Sequence, residues 1–390
     1  MLAMIKRFLP FIFIFGLIAC NKSTLTIDYF GQTEPGTTPE IFAKDVISIK
    51  GRFEHGISFA PNSQELAFGI FNKGDFSGTI YYSNKEDRSW TKPEVLEPLE
   101  NESVFLPYFS PSGKSLLFAQ SRPDANNGFT DIWMLTKQNG FWEQPEKIDS
   151  PISTLTREST ACMSMNNTIY FSSNRDGNGL ADLYCSSLEN NNYIDAERLN
   201  SISSVRDEES IFVSANESYI IFSRYATNEN GPDLFISYRD YSGNWIQPEL
   251  LGSKINTSDW ERRPFVSIDN RFLFFTKQIF NDKGYAESDI YWVNTQNVFK
   301  PYVFEPIQPK VIKIGKEFNV SIPTDYFKDI DSDKLEISLK NEKLDWVNFD
   351  KEKMTLTMNP NVIGEFSLIF TAVDEYANET EDTVSIIVEE

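Results

Sequence analysis

The sequence predicts an all-β chain, a β-propeller followed by a β-sandwich. Three observations predict it: a five-fold repeat with a period of about 52 residues over 50–305, short aromatic strand patterns in each copy, and loss of that period after Pro306. A fixed period of this size marks a unit that cannot bury its apolar face alone and must stack on its neighbours. Helical periodicity is absent throughout.

The repeat core is an apolar residue, Ser or Ala, a turn, and a strand closing on Phe. Its copies are Phe59–Phe68 (FAPNSQELAF), Phe109–Phe118 (FSPSGKSLLF), Met163–Phe171 (MSMNNTIYF), Val213–Phe222 (VSANESYIIF) and Val266–Phe275 (VSIDNRFLFF). A second aromatic strand follows a polar loop: Thr79-Ile80-Tyr81-Tyr82, Asp131-Ile132-Trp133-Met134, Asp182-Leu183-Tyr184-Cys185, Asp233-Leu234-Phe235-Ile236 and Asp289-Ile290-Tyr291-Trp292. A fourth element begins at Trp90-x-x-Pro93-Glu94 and recurs at Trp142, Tyr193 and Trp245. Four short strands joined by Gly/Asn/Asp/Ser turns read as an antiparallel meander, and Pro in the last fits an outer edge. Such sheets repeated radially make a propeller with the first strand lining the channel. Thr38-Pro39-Glu40-Ile41-Phe42 repeats the fourth-strand pattern before any first strand, so it can close the ring against the fifth repeat. The count is five blades; six would need three further strands.

FSPSG before a strand, Asp-Ile-Trp opening the next, and SSNRDG (Ser172–Gly177) between them resemble the Trp-Asp-like propeller repeats of TolB-type periplasmic proteins. The resemblance covers residues 39–305 and implies a fold rather than a function, because such repeats serve many roles. Residues 306–390 form the second module, and 307–390 carry 18 acidic against 9 basic residues. The alternation of Phe366, Leu368, Phe370 and Ala372 reads as a sandwich strand. Phe327-x-Asp329-x-Asp331-x-Asp333-x-Leu335, Leu344-x-Trp346 and Ala372-x-Asp374 resemble cadherin-like, immunoglobulin-type modules of the dystroglycan kind.

The amino terminus reads as a targeting segment. Lys6 and Arg7 precede a ten-residue apolar run, Phe8 to Leu17, too short to span a bilayer. Leu17-Ile18-Ala19-Cys20 resembles a bacterial lipoprotein box, which implies a signal peptide over 1–19, lipidation of Cys20 and an anchor linker over 20–38. Asn21 in place of Asp favours the outer membrane by the same resemblance. Cys162 and Cys185 fall on the first and third strands of one blade, separated by a strand, and are expected to stay free thiols.

The net charge of −21, from 57 acidic and 36 basic residues, argues against nucleic acid as a partner. His55 is the only histidine, so a His-rich zinc site is excluded and a Ser-His-Asp site has no second His to draw on. Glu54, Glu158, Glu208 and Glu261 each stand five residues before the first-strand apolar position; only the second blade, with Val104, departs. Lys73, Arg122, Arg175, Arg224 and Lys277 follow the second strands and reach the same face. Acidic and basic rings therefore meet at one mouth of the channel. They either tie blade to blade or form a ligand-binding site there. Repetition argues against catalysis, since a catalytic pair should differ from its equivalents in other blades. Asp329, Asp331, Asp333 and Asp374 offer oxygens for Ca²⁺, a reading the cadherin-like resemblance strengthens. The functional expectation is a lipid-anchored envelope protein that binds a protein or glycan. The alternatives are a carbohydrate-active enzyme, a hydrolase or lyase working at the propeller mouth, and a structural spacer.

Overall fold

The computed structural model describes residues 29–123, 129–225, 231–281, 284–340 and 344–390. The expected lipid-attachment residue, Cys20, lies outside them. Among the described residues there is no α-helix, and no helix long and apolar enough to cross a membrane.

Five antiparallel sheets follow one another along the chain. In blade 1, Glu54–Phe59, Glu65–Phe71, Gly78–Glu86 and Glu94–Val95 pair in sequence order. Blades 2, 3 and 4 repeat this from Val104–Phe109, Glu158–Met163 and Glu208–Val213. Blade 5 has three strands of its own, Trp260–Val266, Phe272–Asn281 and Gly284–Asn294. Its fourth is Glu40–Ile41, with Glu40 opposite Trp292 and Ile41 opposite Tyr291. The amino-terminal segment thus closes the ring at five blades, as the orphan pattern predicts.

The repeat signature has a local physical cause. The Ser after the first strand turns its hydroxyl back over the hairpin: Ser214 Oγ accepts from Ser218 N at 2.8 Å and Tyr219 N at 3.1 Å, and Ser267 Oγ from Phe272 N at 3.0 Å. Such a side-chain acceptor satisfies donors the turn would otherwise leave open. The closing Phe residues, 68, 118, 171, 222 and 275, are all buried between blades. Tyr29 and Phe30, in the expected linker, belong to the propeller core. Tyr29 packs on Phe59, Phe272 and Trp292 with ring centroids 5.1–5.8 Å apart, between blades 1 and 5. Cys162 and Cys185 are free, on the first and third strands of blade 3.

Residues 310–390 form two facing sheets around Tyr326, Trp346, Leu356, Met358, Leu368, Phe370, Val384 and Ile386. Leu368, Phe370 and Ala372 point inward, as the alternation requires, while Phe366 is only partly buried. The sandwich is fastened to the propeller. Tyr302–Val303 pairs with Phe327–Lys328, Tyr302 stacks on Tyr238 at 4.3 Å, and Asn378 Nδ2 donates to the Gln296 carbonyl at 2.8 Å.

Candidate ligand site at the channel mouth

Each first strand carries a register shift near its start, where one extra residue bulges out of the ladder. The residues three before the apolar position, Gly56, Leu106, Ser210 and Arg263, have φ of 57°, 59°, 58° and 55°. The residues at the bulges are His55-Gly56, Phe105-Leu106, Ser159-Thr160, Glu209-Ser210 and Arg262-Arg263. Of these, His55, Phe105, Leu106, Ser159, Arg262 and Arg263 line the channel mouth. Equivalent positions around the ring are chemically most different at this level.

The expected Glu ring lies one residue further back and is spent on the fold. Glu158 accepts from Thr154 N at 2.9 Å, Thr154 Oγ1 at 2.6 Å, Thr156 Oγ1 at 3.1 Å and Ser173 Oγ at 2.9 Å. Arg175 approaches it to 3.6 Å and Arg122 to 3.9 Å. Both guanidiniums also donate to the entry loop's carbonyls: Arg175 to Pro151 and Ile152, Arg122 to Thr154, Leu155 and Thr156. Glu208 accepts from Ser204 and from Arg224 Nε at 2.8 Å; Glu261 accepts from Thr257 N and Oγ1, with Lys277 at 3.8 Å. Glu54 takes Arg52 Nε and Ile49 N, while Lys73 goes instead to the Tyr285 carbonyl. All four carboxylates are fully buried. Burial raises Glu54 and Glu208 above the ordinary carboxylate range and Glu261 to about 6, against the lowering effect of their donors. Glu158, Glu208 and Glu261 meet Arg175, Arg224 and Lys277 beneath the entry loops and not in the channel, whereas Lys73 leaves Glu54 and lines the channel mouth.

In the channel mouth lies a cavity of about 520 Å³. Its aromatic wall runs from Trp260 to Phe280, centroids 4.3 Å apart, then to Tyr285 at 5.2 Å, with Phe71 and the exposed Phe76 beyond. Trp260 lies flat on Gly231, where a Cβ would fall 1.6 Å from its ring. The charged residues of the lining are Lys73, Arg157, Arg262 and Arg263, with no carboxylate among them. Glu209, from blade 4, bridges Arg157 at 2.8 Å and Arg262. Arg263 Nε and Nη1 and Arg262 Nε are buried without a hydrogen-bond partner. Burial lowers all three guanidiniums, Arg262 to about 9 and Arg263 to about 10; neighbouring guanidiniums add to the effect on Arg262 and Arg263, whereas Asp207 opposes it on Arg157. His55 is 2 % exposed, stacks on Phe105, and has both ring nitrogens unpartnered. Burial, with Arg263 and Arg262, holds its pKa far below the usual value, so the imidazole is neutral. The Arg262-Arg263 pair is absent from the sequence expectations; its signal was a doubly basic step in an acidic chain, at positions where the repeat loses its regularity.

At the junction with the propeller, ligand oxygens of Asp329, Asp331 and Asp374 lie within 4.8 Å of one another. Exposed Asp333 does not join them, so the expected set of four becomes three. Asp374 is fixed by Tyr376 N and Asn378 N. Burial and mutual repulsion raise the pKa values of Asp329 and Asp331.

No protein family and no curated protein matches this chain. Solved structures similar to it include a prolyl endopeptidase, at 9% identity and TM-score 0.35 over 86% of this chain and 39% of that one. An exo-β-1,3-galactanase from Clostridium thermocellum is similar at 10% identity and TM-score 0.43, over 66% of this chain and 62% of that one. A protein of unknown function from Dyadobacter fermentans is similar at 10% identity and TM-score 0.40, over 90% and 97% of the two chains. The chain spans less than two thirds of the first two, and likenesses this distant assign it no activity.

Proposed function

We propose that this chain is a lipid-anchored protein of the bacterial cell envelope that recognises a glycan at the mouth of its propeller channel. The observation that supports this reading most is one aromatic-walled cavity of about 520 Å³ lined by unlike bulge residues of four blades, His55, Phe105, Leu106, Ser159, Arg262 and Arg263. Positions equivalent in every blade hold the ring together; positions that differ are free to fit a ligand. The size and the mix of rings with convergent polar groups are those of a ligand pocket. Binding is favoured over glycosidic hydrolysis because, among the described residues, no Asp or Glu lines the cavity, and that reaction commonly uses a carboxylate pair.

The test uses the full chain with Cys20→Ser, which is expected to be released from membranes, whereas the parent's mature chain begins at Cys20. Capture of a polysaccharide panel should fall at least about 10-fold in Trp260→Ala, the loss typical of a buried aromatic anchor. Unchanged capture would move the site elsewhere, and release of reducing ends from any panel member would make the protein an enzyme.

For the sandwich, the proposed cofactor is Ca²⁺ held by Asp329, Asp331 and Asp374. Oxygen-only donors and two buried, unpartnered carboxylate oxygens, Asp329 Oδ2 and Asp331 Oδ1, support a hard cation over a transition metal.

A further inference from the structure

Resting on the ligand-site reading above, we infer that the channel mouth takes an acidic saccharide, its ring on the Trp260–Phe280–Tyr285 wall and its carboxylate against Arg262 and Arg263.

The charge inventory carries the anionic part. The cavity gathers Lys73, Arg157, Arg262 and Arg263 in a chain whose net charge is −21. Blade 3 supplies Arg157, blade 5 the arginine pair, and the loop of blade 1 Lys73. Against them, blade 4 sets Glu209, shared between Arg157 and Arg262, and Asp207, which acts on both from further away. One ion-paired carboxylate cannot neutralise three guanidiniums. Arg263 keeps two buried donor nitrogens unpaired, and Arg262 one. Arg175 and Arg224 each meet a Glu and loop carbonyls, and Arg198 and Arg239 leave only Nε unpaired while their other nitrogens hold a carboxylate; among the described arginines only Arg263 leaves two buried nitrogens open. An incoming carboxylate would accept a charge-assisted hydrogen bond from one of the two open nitrogens of Arg263, Nε or Nη1.

The wall and the neutral polar groups carry the saccharide part. Trp260, Phe280 and Tyr285 offer flat apolar faces to the C–H face of a sugar ring, and Phe280 is 40 % exposed. Ser121, Thr130, Ser159 and Gln278 line the same cavity with hydroxyl and amide groups suited to ring hydroxyls. His55, buried, neutral and unpartnered at both nitrogens, adds one donor and one acceptor. A bare anion would need none of these.

Calorimetry with the Cys20→Ser chain tests this, using trimers of galacturonate, mannuronate and guluronate, the neutral trimer of galactose, and inorganic sulfate. The expected result is that at least one uronate trimer binds 10-fold or more tighter than the neutral trimer, with affinity falling as salt rises. Arg263→Gln should weaken that binding at least 10-fold without lowering the melting temperature, since it removes an unpaired buried charge. Lys73→Gln, at an exposed position, provides a second reading and should weaken it by a smaller factor. Equal binding of neutral and acidic trimers, or unchanged binding in Arg263→Gln, overturns the anionic part. Sulfate binding as tightly as the best trimer overturns the saccharide part. If no trimer binds while Trp260→Ala still abolishes polysaccharide capture, the mouth remains a recognition site and the acidic-saccharide inference alone fails.

Discussion

Two sets of charges lie side by side at the starts of the first strands, carboxylates in four of the five blades and arginines in two, and they are treated differently. Glu54, Glu158, Glu208 and Glu261 are fully buried and surrounded by donors from their own entry loops. Arg157, Arg262 and Arg263 lie at the next level, with one carboxylate among them and open donors on two of the three. The first set recurs around the ring because each blade must fasten the same loop to the same strand. The second does not recur, so it answers to something outside the fold. Every carboxylate of the first set holds loop donors, although Glu54 and Glu208 each leave one oxygen unpaired, so it is the lack of repetition, more than the lack of partners, that marks the arginines as a site.

Blade 2 offers the sharpest way to break this comparison. There the Glu is replaced by Val104, and the entry loop ends in the 3-10 turn Glu97–Leu99, with Leu99 and Val104 both fully buried. Val104→Glu would place a carboxylate where an apolar contact has replaced the loop staple. We expect a loss of about 4 kcal/mol or more, read as a fall in urea midpoint, because a buried charge without partners is strongly unfavourable. A loss as small as that of an ordinary surface change would mean that any blade can accept the staple.

Next in size is Glu158→Gln, which leaves Arg175 and the Thr154 donors short of a charged acceptor, while Arg122 keeps Asp131. About 2–3 kcal/mol should be lost, the range for hydrogen bonds to a charged group, with ligand capture by the folded protein unchanged. Reduced capture at unchanged stability would return the Glu ring to the binding site.

The pH dependence follows from the same burial. Glu261 and Asp289 are pushed up to about 6, Glu261 by desolvation and Asp289 by desolvation together with the Glu54 and Glu287 charges. A carboxyl whose folded pKa exceeds its unfolded value binds protons more readily in the fold, so stability rises as pH falls through the folded pKa towards the unfolded one. The melting temperature should therefore increase from pH 7.5 to pH 5, by about 1–2 kcal/mol in stability for each such group. A flat or falling profile would show that the rings are better solvated than their burial implies.

The smallest expected effect is that of Ca²⁺. At 10 mM it should stabilise the full chain by about 1 kcal/mol, as mass action gives for a site of millimolar affinity. Asp374→Asn should abolish the gain, whereas Asp333→Asn should leave it intact. Equal loss in both variants would restore the four-residue set expected from the sequence.

Much of the fold was legible in the sequence, for physical reasons. Burying a Phe between blades and folding a Ser over a tight hairpin are local demands, repeated at each turn of the ring, so they print a period on the chain. The orphan strand at Glu40–Ile41 was readable because closure needs the same fourth-strand chemistry as every other blade. The basis for two free thiols was readable too, since strand order fixes which strands are neighbours. The Glu and Arg rings were equally legible as positions, but not as roles. Whether Glu158 faces the channel or an entry loop depends on one bulge, and no periodicity reports the direction of a side chain after it.

The arginine cluster was decided by tertiary structure alone. Arg157 and Arg262 stand 105 residues apart along the chain, and Glu209 falls between them. Only the packing of blades 3, 4 and 5 side by side brings those side chains around one carboxylate. The sequence by itself determined the repeating unit, its number and the means of closure, because those rest on contacts within a blade or between successive blades. The ring determined the site: its channel is where non-repeated side chains from different blades meet, at a distance in sequence that no local pattern spans.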